Sequence, residues 1–256
     1  SSAASDVYKR QMQYLLRKQI VIICGCLFTA LSLQAQSGET FQPDHDDMPY
    51  YLGISIGMGY NHLNYERNTF FSPSSSNIAN QVLSMNSKNL NLGLTGTLKL
   101  TDHFLLRANP MLLIGGSKNV GFTKNSIRDS IDIPSTVISL PLALKLQSDR
   151  YNAFHFRNLM RHYVFAGGKA DFDLSSSKVA TSGLGDAYKA LFNGTDLGYE
   201  FGLGLSFYLR YVTISPEIKF SYGLSNLKNP NTTELLLNNV NKVNANFVYF
   251  TIHLEN

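Results

Sequence analysis

Leu197 to Leu224 reads LGYEFGLGLSFYLRYVTISPEIKFSYGL, and its apolar residues recur at every second position. A period of two marks a strand, since a helix would repeat near 3.6. Leu197, Tyr199, Phe201, Leu203, Leu205, Phe207 and Leu209 share one face. Gly198, Glu200, Gly202, Gly204, Ser206 and Tyr208 share the other. Beyond Arg210-Tyr211 the alternation resumes, with Val212, Ile214, Pro216, Ile218, Phe220 and Tyr222 against Thr213, Ser215, Glu217, Lys219 and Ser221.

Taking Arg210-Tyr211 as a two-residue turn fixes the register. Leu209 then faces Val212, Leu203 faces Ile218, Phe201 faces Phe220 and Tyr199 faces Tyr222. From the turn to Tyr199 is about 11 residues, the length a tilted strand needs to cross a bilayer. One face is a continuous sheet of Leu, Ile and Phe ending in tyrosines. The other is small residues with a few charges, and Lys219 and Glu217 fall opposite the empty positions Gly202 and Gly204. A lipid-facing exterior and a narrow polar lumen call for this division. In a soluble lipid carrier the apolar face would point inward instead. The polar face, mostly Gly, Ser, Thr and Asn, would coat a water-facing exterior poorly.

The same pattern recurs along the chain. Strands are expected at 50–60, 88–100, 104–115, 136–147, 162–174, 197–209, 212–224 and 244–254. Between them, long polar connections at 61–87, 116–135, 175–195 and 225–243 alternate with short ones such as 101–103 and 210–211. Residues 186–192 carry one or two possible helical turns. The expected architecture is an all-β, eight-stranded, antiparallel up-and-down transmembrane barrel over 50–256, with both termini on the short-turn, periplasmic side. The connection 148–161 is too long for that side, which marks it as a functional segment or a misplaced boundary. Pro110, Pro141 and Pro216 fall inside strands, where each removes a ladder hydrogen bond and predicts a bulge or an edge-like site.

Ahead of the barrel, residues 1–11 resemble vector or adaptor sequence. Residues 12–35 read as a signal peptide: Arg17-Lys18, an apolar run 20–33, and the small-residue end Leu33-Gln34-Ala35. Residues 36–49 are an acidic periplasmic lead-in. The whole chain has 256 residues and a formal charge of +4. Taking Lys9, Arg10, Arg17 and Lys18 from the 22 basic residues, and Asp6 from the 18 acidic ones, leaves 18 against 17. The basic character therefore belongs to the leader, and no nucleic-acid partner follows. Cys24 and Cys26 also lie in the leader, so the exported protein would fold without disulfides.

No Gly-rich phosphate loop, G-x-S-x-G or metal-spaced histidine pair is present, and no cofactor is implied. His45, His62, His103 and His155 fall in expected loops or turns and His162 and His253 in strands, each read as solvated or interfacial. The chain is read as no enzyme. Inward-facing charges are Arg107, Lys145, Lys169, Asp171, Glu200, Glu217 and Lys219. Eight strands leave an interior just wide enough for side chains. Arg107, Lys145, Glu200, Glu217 and Lys219 are accordingly expected to form one lumen ion network, with Glu217 pairing Lys145.

Pro141-Leu-Ala-Leu-Lys145 with Ser148 and Arg150, Tyr163–Asp173, Tyr199-Glu-Phe-Gly-Leu-Gly204 with Tyr211, and Ser215-Pro-Glu-Ile-Lys219 together resemble the PorT family. His162 departs from that pattern, which has proline before the tyrosine. The resemblance spans most of 50–254. It implies an outer-membrane barrel of the Bacteroidetes type IX secretion and gliding-motility apparatus, supporting protein export without catalysis. Expected partners are outer-membrane lipid and other secretion-apparatus proteins, contacted through loops and the 148–161 connection. The other reading is a generic small barrel serving adhesion, membrane integrity or narrow diffusion.

Overall fold

The computed structural model describes residues 42–67, 81–84, 86–124, 127–153, 156–176, 179–181, 187–189, 191–229 and 240–256. Eight long strands form a ring. They are β1 (Tyr50–Arg67), β2 (Ser87–Lys99), β3 in two pieces (Phe104–Ala108 and Met111–Lys124), β4 (Ile127–Gln147), β5 (Phe156–Asp173), β6 (Thr195–Tyr208), β7 (Thr213–Gly223) and β8 (Val240–Glu255). Each pairs antiparallel with the next, and β8 pairs with β1 to close the ring. Within the ring of described residues, closure removes the edges that would invite another chain.

Crossing register partners from Gly204 leads through Glu217, Thr251, Gly57, Asn91, Leu113 and Val137 to Asp173. The Asp173 N–H then donates to the Gly194 carbonyl. The circuit thus returns to the chain ten residues from its start, at 194 against 204. Such a stagger on eight strands tilts them roughly 40° from the axis.

The expected division of faces holds. Ile54, Leu94, Leu142 and Leu203 stand outward, 54–63% exposed, while Lys219 and Glu217 are 2% exposed. A soluble protein could not carry so large an apolar belt, but a lipid-facing one requires it. The 197–224 hairpin has the register read from its sequence, with Leu203↔Ile218, Phe201↔Phe220 and Tyr199↔Tyr222. The Leu209 N–H donates to the Val212 carbonyl at 3.1 Å, setting the turn at Arg210-Tyr211.

Several boundaries differ. Residues 116–135 are no loop: β3 and β4 continue as one hairpin to Lys124 and Ile127. The inward parity of β4 never changes, but its chemistry inverts. Ser139 and Lys145 point inward within the belt, whereas Ile131 and Ile133 do so beyond it. Outside the bilayer the outward face meets water, so apolar residues move inside and the lipid-facing pattern disappears. For the same reason β1 runs on to Arg67, carrying His62 in a strand, and β8 begins at Val240. Gln81–Ser84, within an expected connection, pairs with β3. The 148–161 segment is a corner in which Tyr151–Ala153 folds back on the start of β5. In place of helical turns near 186–192, Ala187–Lys189 pairs with Val179–Thr181.

Two of the prolines share one irregularity. The break in β3 at Asn109-Pro110 lies across from Pro141, since Ala108↔Leu142 and Met111↔Ser139 flank it. There the Asn109 N–H donates to the Pro141 carbonyl (3.3 Å), and the Leu94 N–H to that of Pro110 (2.9 Å). Pro216 stays within β7, paired to Ile252 of β8. Within the lead-in, Pro43–Asp46 forms a 3-10 turn. The expected vector-like leader (1–11), the expected signal peptide (12–35) and His155 lie outside the described residues.

Candidate functional site: a charged lumen between two closures

The five candidate lumen residues come from four strands, and all point inward. Arg107 is on β3, Lys145 on β4, Glu200 on β6, and Glu217 and Lys219 on β7; each is 5% exposed or less. They form two clusters instead of one. Around Glu217, the Arg107 Nη1 donates to Oε2 at 2.6 Å and the Tyr163 hydroxyl to the same oxygen at 2.9 Å. His253 Nε2 lies 3.4 Å from Oε1, and its Nδ1 meets the Thr95 hydroxyl at 3.0 Å. The second cluster is the diagonal pair Lys219–Glu200, 3.3 Å apart, with the lysine 5.3 Å from the centre of the Tyr249 ring.

Lys145 does not pair with Glu217 as the sequence suggested. Arg107 holds that carboxylate, and Lys145 lies over the Tyr163 ring, 4.0 Å from its centre. A protonated amine over an aromatic face is stabilised by the ring quadrupole. Nor do Lys219 and Glu217 fill the spaces above Gly202 and Gly204. The rings of Phe165 and Tyr163 do so, and a Cβ at Gly204 would stand 2.4 Å from Tyr163. Those glycines exist so that aromatic side chains from β5 can cross the bore. Lys169 and Asp171 pair with each other nearer the long-connection end.

That end is closed by apolar packing. Leu191, Phe192 and Leu227 reach inward from the connections after β5 and β7. They join Ile131, Ile133, Val240 and Val243 in one core. A backbone bridge between Phe192 and Lys228 ties the two connections together, and Lys118 bonds Asp173 beneath them at 2.6 Å. A cavity of about 20 Å³, near the volume one water needs, remains beside Asp171 and Asp196.

At the opposite end the lead-in itself is the closure. Asp46 receives Arg161 at 2.8 and 3.1 Å and Arg150 at 2.9 and 3.1 Å. The Arg150 guanidinium lies 3.7 Å from the Tyr208 ring centre. Buried His45 packs between Tyr51 and Tyr208, with ring centres 4.5 and 5.4 Å away. Desolvation lowers the His45 pKa, the nearby Arg150 and Lys145 lower it further, and Glu255 and Asp46 oppose them. Lys99 donates to the Asp46 carbonyl at 2.6 Å, and Thr213 to the Gln42 side chain at 2.8 Å. A cleft of about 230 Å³ lies beside this plug.

Sequence reasoning missed His253 as a buried partner, because a lone histidine in a strand carries no signal. It also missed the plug. Arg150 and Arg161 stand in a segment read as a connection, and Asp46 in a stretch read as an acidic periplasmic lead-in. Tyr163 shares the strand parity of the inward-facing Lys169 and Asp171, but nothing in the sequence reveals its bond to Glu217.

Against known proteins, the model of the outer membrane protein beta-barrel domain matches residues 34–229. No curated protein matches the chain. Among solved structures, Neisserial surface protein A covers 81% of this chain and 97% of its own, at 8% identity and a TM-score of 0.45. The outer membrane protease OmpT of Escherichia coli covers 87% and 99%, at 10% identity and 0.40. Ail of Yersinia pestis, solved with the heparin analogue sucrose octasulfate, covers 82% and 100%, at 10% identity and 0.38.

Proposed function

The chain belongs to the family of outer membrane protein beta-barrel domains, and from that premise we propose a small, non-enzymatic barrel that works through its two ends and not through its bore. One observation carries this reading: the lumen is stopped twice, by the Asp46 plug at one end and by the Leu191, Phe192 and Leu227 packing at the other. Between the stops the charged side chains pair with one another across the bore, as in a barrel whose interior is structural. The roles that fit are membrane integrity and adhesion by the extended hairpins. A strain lacking the gene should leak periplasmic enzymes or become sensitive to detergent, and the purified protein in planar bilayers should give no large, stable conductance steps. Large steps would refute a structural lumen. A cleaved leader is part of the same proposal, tested by sequencing the protein from outer membranes, where Gln36 should come first.

Support of protein secretion is the second reading. It rests on the motifs that resemble the PorT family, two of which supply Lys145 to the face of the Tyr163 ring and Glu217 to its hydroxyl. In this reading the extramembrane ends contact other secretion-apparatus proteins. Normally secreted proteins should then accumulate in the periplasm of the deletion strain, and unchanged secretion would remove the reading.

A further inference from the structure

The plug is held in an unusual way. Two guanidinium groups, from Arg161 on β5 and Arg150 in the corner before it, converge on one carboxylate. Their side chains are 10% and 6% exposed. Arg161 presents two nitrogens to the two oxygens of Asp46, the fork geometry that makes arginine a selective carboxylate receptor, and Arg150 adds a bond from Nη2 to Oδ1 at 3.1 Å with its Nε 2.9 Å from Oδ2. The receptor is built into the barrel wall, with Tyr208 as a floor under Arg150 and a further acceptor for Arg161 at 3.3 Å. Its occupant comes from outside the wall, on a segment that leads into β1.

That occupant fits imperfectly. Gln42, at the head of the plug, has φ 48°, a left-handed conformation that is strained for a residue with a Cβ. His45 Nε2 is buried without a hydrogen-bond partner, which leaves its desolvation uncompensated. The cleft beside the plug leaves room for a longer chain. A rigid receptor with a strained occupant is poised for exchange.

We propose that the short-turn mouth of this barrel is a receptor for an acidic segment of another polypeptide, which the chain's own Asp46 occupies in the resting state. The incoming ligand supplies an aspartate or glutamate carboxylate to Arg150 and Arg161, and the displaced segment leaves the mouth. This does not depend on whether the barrel serves integrity or secretion.

The test uses the whole chain with Cys24 and Cys26 replaced by serine, folded in detergent, with a nitroxide at exposed position 47 (Asp47→Cys). The probe is a synthetic peptide of residues 42–49, Gln-Pro-Asp-His-Asp-Asp-Met-Pro, carrying a fluorophore. In the parent the nitroxide should be immobile; adding Asp46→Asn should free it, with folded gel mobility unchanged. The peptide should bind the Asp46→Asn barrel at least tenfold more tightly than the parent. A peptide with asparagine at the position of Asp46, or a barrel carrying Arg161→Met as well, should lose that binding. Equal binding to parent and variant, or equal binding by the asparagine peptide, would overturn the proposal. So would an immobile nitroxide in Asp46→Asn. If inorganic phosphate displaced the peptide at equal concentration, the site would take free anions, and its assignment to a polypeptide would fall.

Discussion

Replacing Glu217 with glutamine keeps the shape of the side chain and removes its charge. The Tyr163 hydroxyl still finds an oxygen to donate to, so that bond at 2.9 Å survives. What is lost is the counterion of Arg107, 2.6 Å away and 5% exposed. Removing one partner of a buried pair costs about 3–5 kcal/mol. Arg107 has little to fall back on, since its Nε and Nη2 have no partners. The rings of Tyr163 and Phe165, 5.0 and 5.4 Å from its guanidinium carbon, return part of the loss. The expected cost is therefore about 3 kcal/mol, the low end of the range for a broken buried pair. Urea titration in lipid vesicles, with folded and unfolded forms separated by gel mobility, reads it directly. With a slope of about 1–3 kcal/mol per molar urea, the midpoint should fall by about 1–3 M. Arg107→Met should cost a similar amount, and the double variant should recover about 2 kcal/mol or more of the sum. Additivity within about 0.5 kcal/mol would mean that the two groups do not interact across the bore, and the lumen described above would be wrong.

The same cycle on Glu200→Gln and Lys219→Met should show a smaller coupling, about 1 kcal/mol, because that pair is longer and makes one contact; its midpoints check this. Gly204→Val should lower the midpoint more than the same change at Gly96, because a Cβ at Gly204 meets the Tyr163 ring whereas one at Gly96 finds its nearest atom at 3.6 Å. Docking of the plug should weaken in acid. His45 is held neutral by burial among Tyr51, Tyr208, Arg150 and Lys145, with Glu255 and Asp46 opposing, so its docked pKa lies below 6.5. The free segment therefore binds a proton first, and docking loses stability as pH falls below about 6.5 while remaining unchanged above it. Spin-label mobility at position 47 between pH 8 and 5 should show this, and His45→Phe should remove the dependence.

The hairpin at 197–224 was legible to the residue because lipid is a demanding solvent: every outward position must be apolar, so alternation survives undiluted. The same rule exposed β2 and the belt halves of β1, β4 and β5. It failed at Ile131, Ile133 and Leu63, where the outward face meets water and a strand resembles a polar loop. Within the site, the facing of Glu200 and Lys219 followed from register alone. The partner of Glu217 did not follow, because it depends on which of two long cations, from β3 or β4, reaches across the bore first. Period and spacing carry no information about that. The plug was invisible for a different reason: its arginines and its aspartate are more than 100 residues apart, and no repeat or motif connects them.

The continuous β3–β4 hairpin has a mechanical consequence. The outward apolar residues of β4 end at Ile138, and the strand begins at Ile127. Eleven residues therefore stand clear of the belt, about 36 Å of strand, or somewhat under 30 Å of height after tilt. Beyond the register shift between Leu113 and Gly116 the ladder runs on to Lys124 and Ile127, so the membrane acts as the foundation of a mast. Shortening both arms by two residues would keep the alternation and the base intact while lowering the tip by about 5 Å, which makes reach a property that can be tuned independently of the fold.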